Sequence, residues 1–372
     1  MKALRIYAGR QARQHIEKNG LKPEDIGVIP GAAGGPKGLV LGALDRFIFG
    51  EWLPGSSQPV HLVGASIGAW RMATACLADP AAAFSRLERD YIHMHYALAP
   101  GQKRPEADVV SEQFRQNLKE FYGGRTGEVL MHPRYRLHIL TSRGRLLLGR
   151  EHRIATPLGY LGAFVANGLH RKAMGAWLER VVFSSQAAAL PFGTGDYRTR
   201  QVQLEEANFQ PALQASCSIP FAMRAERNIP GAPAGAYWDG GITDYHLHLN
   251  YLPTPALPAG KAGHTTNSAS PALVLYPHFQ KAIVPGWLDK GLKWRHGATP
   301  FLDNMIVLAP STEWINSLPN GKLPDRTDFS RYGTDLQARV KVWSQAASQA
   351  AALADEFAGW LREPNMSLVH AL

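Results

Sequence analysis

The strongest constraint on the fold is a pattern of strand, turn and helix that occurs twice in succession. The apolar run "IGVI" (26–29) precedes the turn "PGAAGGPKG" (30–38), and a helix-like segment continues to about Phe49. The run "PVHLVG" (59–64) is followed in the same way by "IGAWRMATACLA" (67–78). Strands that alternate with helices form parallel sheets covered by helices. The sequence therefore predicts an α/β fold with a central, mostly parallel sheet.

Composition narrows the class of protein. At 372 residues with 45% hydrophobic and 19% charged residues, the chain can bury a large core. We expect a cytoplasmic protein, because it lacks an apolar run of the ~18 residues needed to span a membrane and a signal-peptide core. Two cysteines are too few for a disulfide framework or a zinc cluster. The net charge of +10 favours an anionic membrane surface as a peripheral partner; no nucleic-acid-binding motif accompanies it.

The glycine-rich turn at 30–38 resembles a phosphate-binding loop but departs from both common patterns. Counted from Gly31, Pro36 stands where a Walker A loop needs its second glycine, and Gly38 stands where it needs Ser or Thr. The dinucleotide-binding pattern also fails, since Ala33 replaces a required glycine. What remains is a row of backbone N–H groups at the start of a helix, which can bind an anion or a transient oxyanion.

A second motif, "GASIG", places Ser66 between Gly64 and Gly68. This G-x-S-x-G pattern is typical of a nucleophile elbow, a sharp turn that exposes a serine between a strand and a helix. With 36 glycines in the chain, the pattern alone arises by chance in roughly one such sequence in six. Its position between a predicted strand and a predicted helix strengthens the interpretation considerably.

A serine nucleophile needs a base, and the sequence offers two kinds. His246 and His248 in "DYHLHL" are the best placed histidines, although their alternation also suits a strand. Asp239 in "YWDGG" is the other candidate, at the end of a short predicted strand. The same Asp-Gly pair also suits a simple tight turn, so the residues alone leave the base open.

Taken together, these motifs resemble the patatin-like phospholipase family. The matching segments are Gly34-Gly35-Pro36-Lys37-Gly38, with Ala33 in place of the family's first glycine, Gly64 to Gly68, "ASCSIPF" (215–221) and Asp239-Gly240-Gly241. After the Asp-Gly-Gly motif the family often continues to an Asn and a Pro, whereas this chain has "ITDYHLHL". The resemblance covers residues 31–72 and 210–245 most strongly.

The resemblance implies a three-layer α/β fold with helices on both faces of the sheet, formed by residues 1–372 as one domain. It implies that Ser66 is the nucleophile and Asp239 its base, and that no metal or cofactor takes part. The N–H groups implied to bind the oxyanion are those of Gly34, Gly35, Lys37 and Gly38. The implied substrate is a lipid ester or phospholipid. The alternatives are a thioesterase or acyltransferase of the same fold, a lipid-binding protein without activity, and a nucleotide-binding protein.

Five further segments carry predictions. Residues 3–19 are predicted to form an amphipathic helix, and residues 134–153 a pair of strands. Residues 158–178 are predicted to form a helix that is packed rather than docked on a membrane. The segment 252–271 is predicted to be a flexible loop, and residues 334–362 a long Ala-rich helix.

Overall fold

The computed structural model describes residues 1–96, 102, 105–251 and 272–372. The loop predicted at 252–271 lies outside the described residues. Eleven strands within the described ranges belong to one sheet. They are β1 (Leu4–Ala8), β2 (Ile26–Gly31), β3 (Val60–Ala65), β4 (Tyr135–Gly144), β5 (Leu178–Ser184), β6 (Thr199–Gln203), β7 (Glu226–Arg227), β8 (Ala236–Asp239), β9 (Leu273–Pro277), β10 (Met305–Pro310) and β11 (Val369–Ala371).

The sheet is mixed and mostly parallel, in the order β11-β1-β10-β9-β2-β3-β4-β5-β6. Its centre, from β10 through β9, β2 and β3 to β4, is parallel throughout. The pairs β1–β10, β4–β5, β4–β8 and β7–β8 are antiparallel. Every residue of β2, β3, β9 and β10 is buried, because helices cover a parallel sheet on both faces. The predicted three-layer α/β class is confirmed.

The helices pack against this sheet and against one another. In the described residues they are α1 (Arg10–Asn19), α2 (Gly42–Phe47), α3 (Ile67–Ala75), α4 (Pro80–His93), α5 (Ala107–Tyr122), α6 (Thr126–Leu130), α7 (Ala155–Leu169), α8 (Glu206–Cys217), α9 (Thr312–Ser317), α10 (Thr327–Tyr332), α11 (Leu336–Gln349) and α12 (Ala351–Arg362). Within those stretches, none of the helices combines the length and the apolarity needed to cross a membrane.

Three predictions of secondary structure are wrong. Residues 3–19 do not form one helix, because "LRIYA" alternates buried and half-buried residues as β1 before α1 begins. Residues 134–153 form the single strand β4 and a 3₁₀ turn at Leu146–Gly149 instead of a hairpin, since β4 pairs with β5. The helix predicted at 334–362 is interrupted at Ala350, which separates α11 from α12.

The helix predicted at 158–178 is correct in kind, but it begins and ends earlier than predicted. Helix α7 occupies Ala155–Leu169 and is followed by a 3₁₀ turn and then β5. One side of α7 is packed, whereas Leu161, Phe164 and Val165 on the other side are 46–59% exposed. Helix α7 is therefore packed on one side only, and its packing rather than docking on a membrane stays a prediction.

Candidate active site

Strands β3 and β8 meet end to end along one edge of β4. Strand β3 runs parallel to β4 and ends with Ala65 opposite Leu140, while β8 runs antiparallel and ends with Asp239 opposite Thr141. Strand β5 occupies the other edge of β4. Because β3 and β8 approach from opposite directions and end at adjacent positions, Ser66 and Asp239 come together although 173 positions separate them in the chain.

The Ser66 and Asp239 side chains form a buried hydrogen-bonded pair. The Ser66 hydroxyl donates to Asp239 Oδ2 at 2.7 Å, and the Gly241 N–H donates to Asp239 Oδ1 at 2.7 Å. Only 4% of Ser66 and 5% of Asp239 is exposed. Burial raises the pKa of Asp239, while the positive charge of Arg326 and the hydrogen bonds from Ser66 and Gly241 act in the opposite direction. A carboxylate with a raised pKa is a better proton acceptor for a neighbouring hydroxyl.

Ser66 occupies a strained turn between β3 and α3. Its φ of +57° and ψ of −131° lie in a region that residues with a side chain rarely adopt. A Cβ on Gly68 would lie 1.8 Å from the carbonyl oxygen of Gly31, and one on Gly64 would lie 2.4 Å from the Cα of Ala69. The two glycines of the elbow are therefore required by the close approach of neighbouring backbone.

The block "ASCSIPF", at the end of α8, holds both members of the pair in place. The Ser66 N–H donates to Ser216 Oγ at 2.9 Å, and this hydroxyl donates to the Leu140 carbonyl at 2.7 Å. The Asp239 N–H donates to the Ser218 carbonyl at 2.9 Å. The sequence indicated that this block matters, but its positioning role follows only from these three hydrogen bonds.

The glycine loop supplies backbone N–H groups without internal partners. The loop leaves β2 and winds into a 3₁₀ helix at Gly35–Leu41, with Gly35 at a φ of +57°. Among the described residues, no group accepts a hydrogen bond from the N–H of Gly34, Gly35 or Lys37. Pro36 has no N–H to offer. Three of the four donors implied by the resemblance are thus available to a ligand.

The same loop lies directly against the elbow and the Asp-Gly-Gly turn. A Cβ on Gly38 would lie 3.3 Å from Ile67 Cγ1, and one on Gly241 would lie 2.6 Å from the Cβ of Ala33. Gly38 itself sits inside the 3₁₀ helix, where its N–H is in register for the Gly35 carbonyl. Gly38 is therefore the least suitable of the four donors.

Three basic side chains act electrostatically on this site. Arg326 and Lys290 both lower the pKa of Asp239. Partial burial lowers the pKa of Lys290 to about 8, and the charges of Arg326 and Lys37 act in the same direction. The Lys290 Nζ lies 4.1 Å from the centre of the Tyr245 ring. The sequence motifs did not reveal Arg326 or Lys290, because both lie in irregular segments remote in sequence from the motifs.

The histidines considered as alternative bases have other partners. His246 Nδ1 hydrogen-bonds to the Ala282 carbonyl, and His248 Nε2 to Thr299 Oγ1. Burial lowers the pKa of His248 to about 4. Asp239 is the group hydrogen-bonded to Ser66, so the structure favours it over either histidine. Within the described part of the chain, no cluster of three or more His, Cys, Asp or Glu side chains is placed to hold a metal ion.

A small cleft adjoins the glycine loop. Gly35, Gly38, Ile67 and Tyr91 are among its lining residues, and its volume is about 20 Å³. That volume holds about one water molecule. An acyl chain would therefore enter this cleft only after side chains moved.

Comparison with known proteins does not decide the family. No protein-family model matches the chain, and no curated protein matches its sequence. Among solved structures, VipD from Legionella pneumophila is similar over 90% of this chain and 67% of its own, with 14% identity and a TM-score of 0.35. A TM-score this low carries no argument about function. The functional case depends on the geometry of the site.

Proposed function

We propose that this protein is a serine acyl hydrolase of the patatin-like type that cleaves lipid esters. The observation that carries the proposal is the 2.7 Å hydrogen bond from the Ser66 hydroxyl to Asp239, formed at a strained elbow. The unpartnered N–H groups of the adjacent glycine loop support it, because acyl transfer needs donors for an oxyanion. The choice of lipid esters as substrates comes from the resemblance of the sequence motifs to the patatin-like phospholipase family.

In the first half of the reaction, Ser66 Oγ attacks the ester carbonyl while Asp239 accepts the hydroxyl proton. Negative charge develops on the carbonyl oxygen, and the N–H groups of Gly34, Gly35 and Lys37 stabilise it. When the C–O bond of the ester breaks, Asp239 returns the proton to the departing alkoxide. The products of this half are an alcohol and an acyl-Ser66 ester.

In the second half, Asp239 deprotonates a water molecule that attacks the acyl-Ser66 carbonyl. The same N–H groups hold the second oxyanion, and its collapse releases the carboxylic acid. The proton on Asp239 then returns to Ser66 Oγ. One base thus serves both halves, and no histidine is needed.

Labelling with a fluorophosphonate probe tests the nucleophile. We expect the native protein to be labelled, because an activated serine attacks the phosphorus atom. Ser66→Ala should abolish labelling and lower kcat/KM on a short-chain ester at least roughly 10³-fold. Ser85→Ala is the matched control, because Ser85 is exposed on α4 and, among the described residues, its hydroxyl bonds only to the Ala81 carbonyl.

Two outcomes would contradict the proposal. A native protein that is folded but unlabelled, and inactive on a panel of lipid classes, would favour a lipid-binding protein without activity. Labelling that survives Ser66→Ala would place the nucleophile on another residue. The lipid panel also identifies the substrate class.

A further inference from the structure

Helix α7 has a packed side and an exposed side, and neither side carries a charged residue. Its packed side consists of Thr156, Gly159, Tyr160, Ala163 and Asn167. Its exposed side, together with the preceding residue, forms a surface that we call the α7 apolar face: Ile154, Leu158, Leu161, Phe164, Val165 and Leu169, which are 46–82% exposed. The spacing of three or four residues aligns these side chains along the helix. An apolar stripe of this kind on a protein surface marks an interaction site.

Segments that pack against α7 expose further large apolar side chains. The 3₁₀ turn before α7 packs against the helix and exposes Leu146 and Leu147. The turn that carries Trp287 also packs against α7, and the exposed fraction of Trp287 is 43%. Arg295 contacts the C-terminal part of α7 through Asn167, and the neighbouring Trp294 is 73% exposed. Tryptophan beside an apolar patch is typical of the boundary between lipid and water.

The packed side of α7 connects this face to the candidate active site. The Tyr160 ring lies 6.1 Å from the Trp238 ring, and Trp238 immediately precedes Asp239. Asn167 donates to Asp289 at 2.8 Å, and Asp289 immediately precedes Lys290. Both contacts lead to residues that carry or adjoin the site. The packed side of α7 therefore contacts the two segments that carry Asp239 and Lys290.

The charges around the α7 apolar face are positive. Arg150 and Arg153 precede the helix and Lys172 follows it, and all three are exposed. Residues 155–178 include no Asp or Glu. Upstream, Glu151 is paired with Arg224 at 3.0 Å. Apolar side chains flanked by basic residues match the chemistry of a membrane that contains anionic lipid.

We propose that the α7 apolar face docks the protein on membranes containing anionic lipid, with α7 lying in the plane of the interface. The helix is about 22 Å long, which is too short to span a bilayer but sufficient for it to lie along the surface. A second copy of the chain fits the face less well. Dimerisation through α7 would bring the basic flanks of two copies together, whereas anionic lipid attracts those flanks.

Vesicle flotation tests the proposal independently of catalysis. The full chain carrying Ser66→Ala is mixed with phosphatidylcholine vesicles, with or without phosphatidylglycerol, so that binding is measured without hydrolysis. We expect binding to the vesicles that contain phosphatidylglycerol and a decrease as salt is raised. Leu161→Glu and Phe164→Glu should each weaken that binding at least roughly 10-fold, since a carboxylate replaces an inserted apolar side chain.

Met131→Glu is the matched control for these variants. Met131 is 73% exposed and precedes β4, at the end of the sheet opposite Ser66, so its substitution should leave vesicle binding unchanged. Thermal unfolding of each variant checks that the fold is intact. When Ser66 is retained, Leu161→Glu and Phe164→Glu should also leave the turnover of a water-soluble short-chain ester unchanged.

Three results would overturn the docking proposal. They are native-level vesicle binding by Leu161→Glu and Phe164→Glu, equal binding with and without phosphatidylglycerol, and a dimer that these substitutions dissociate without any vesicle binding. The docking proposal and the proposed hydrolase activity can each be contradicted without the other. Vesicle binding by a protein that the fluorophosphonate does not label would sustain the docking proposal and contradict the proposed hydrolase.

Discussion

Two buried aspartates in one turn, Asp239 and Asp244, differ in their partners and therefore in their chemistry. Asp239 accepts hydrogen bonds from a hydroxyl and a backbone N–H, and its burial raises its pKa. Asp244 accepts two hydrogen bonds from Arg180, at 2.8 and 2.6 Å, and pairs with Arg171 at 3.3 Å. Although burial acts to raise the pKa of Asp244, these arginines hold it below its usual range.

This difference shows that burial alone does not prepare a carboxylate to act as a base. A carboxylate paired with arginine is stabilised in its charged form and accepts a proton poorly. Asp239 has no such pair among the described residues, and its two donors are the Ser66 hydroxyl and the Gly241 N–H. Asp244 stabilises the segment that follows Asp239, because Arg180 lies in β5 and also binds Asp196. One aspartate is suited to catalysis and the other to structure.

The largest expected effect is on activity, from Asp239→Asn. We expect kcat/KM to fall roughly 10³-fold or more, because the variant lacks the base. The midpoint of thermal unfolding should be no lower than in the native protein. Since burial raises the pKa of Asp239, its ionised form destabilises the fold at neutral pH, and the neutral amide removes that effect. Near-native turnover would show that another group, such as His246, is the base.

Asp244→Asn should have the opposite effects, a loss of stability with little change in the reactivity of Ser66. Removing one partner of a buried ion pair destabilises a protein by roughly 3–5 kcal/mol, since Arg180 keeps a poorly compensated charge. Denaturant unfolding measures this loss, and the folded fraction should still react with the fluorophosphonate. The effect should shrink in acid, because a depressed pKa contributes stability that is lost as pH falls through the folded-state value. Unchanged stability would show that the Arg180 cluster does not anchor the turn.

A smaller effect is expected from Arg326→Gln on the pH dependence of catalysis. Activity should rise with pH as Asp239 ionises, with the acid limb of kcat/KM above the usual range for aspartate. Removing the charge of Arg326 raises the pKa of Asp239 further, so the acid limb should move to higher pH. Arg331→Gln, at an exposed position nearby, is the control. A downward shift would contradict the electrostatic account.

The smallest expected effect comes from Lys290→Met. Lys290 lowers the pKa of Asp239 less than Arg326 does, so its removal should shift the acid limb by less than Arg326→Gln. Because the pKa of Lys290 is about 8, any contribution of its charge to turnover fades as pH rises through that value. The pH–rate profile of the variant should lack this change on the alkaline side. If the alkaline limb of the variant is identical to that of the native protein, the charge of Lys290 does not contribute to turnover.

The local parts of the site were predictable from sequence because they rest on short-range backbone geometry. Gly64 and Gly68 mark a turn in which a Cβ would collide with backbone, and the motif includes both. The buried strands β2 and β3 are short apolar runs followed by glycine. The base could not be chosen in this way, because the residues alone did not decide between Asp239 and the histidines. The pairing register of β3 and β8 on β4 brings Asp239 to Ser66.

The sequence by itself determined the α/β class, the glycine loop and the serine elbow, because each depends on residues adjacent in the chain. Only the tertiary structure decided which charges surround Asp239, since Lys290 and Arg326 reach it from distant segments. The tertiary structure also decided which side of α7 stays exposed. That helix is uncharged on both sides, so periodicity does not identify the buried side; contacts with Trp238 and Asp289 do.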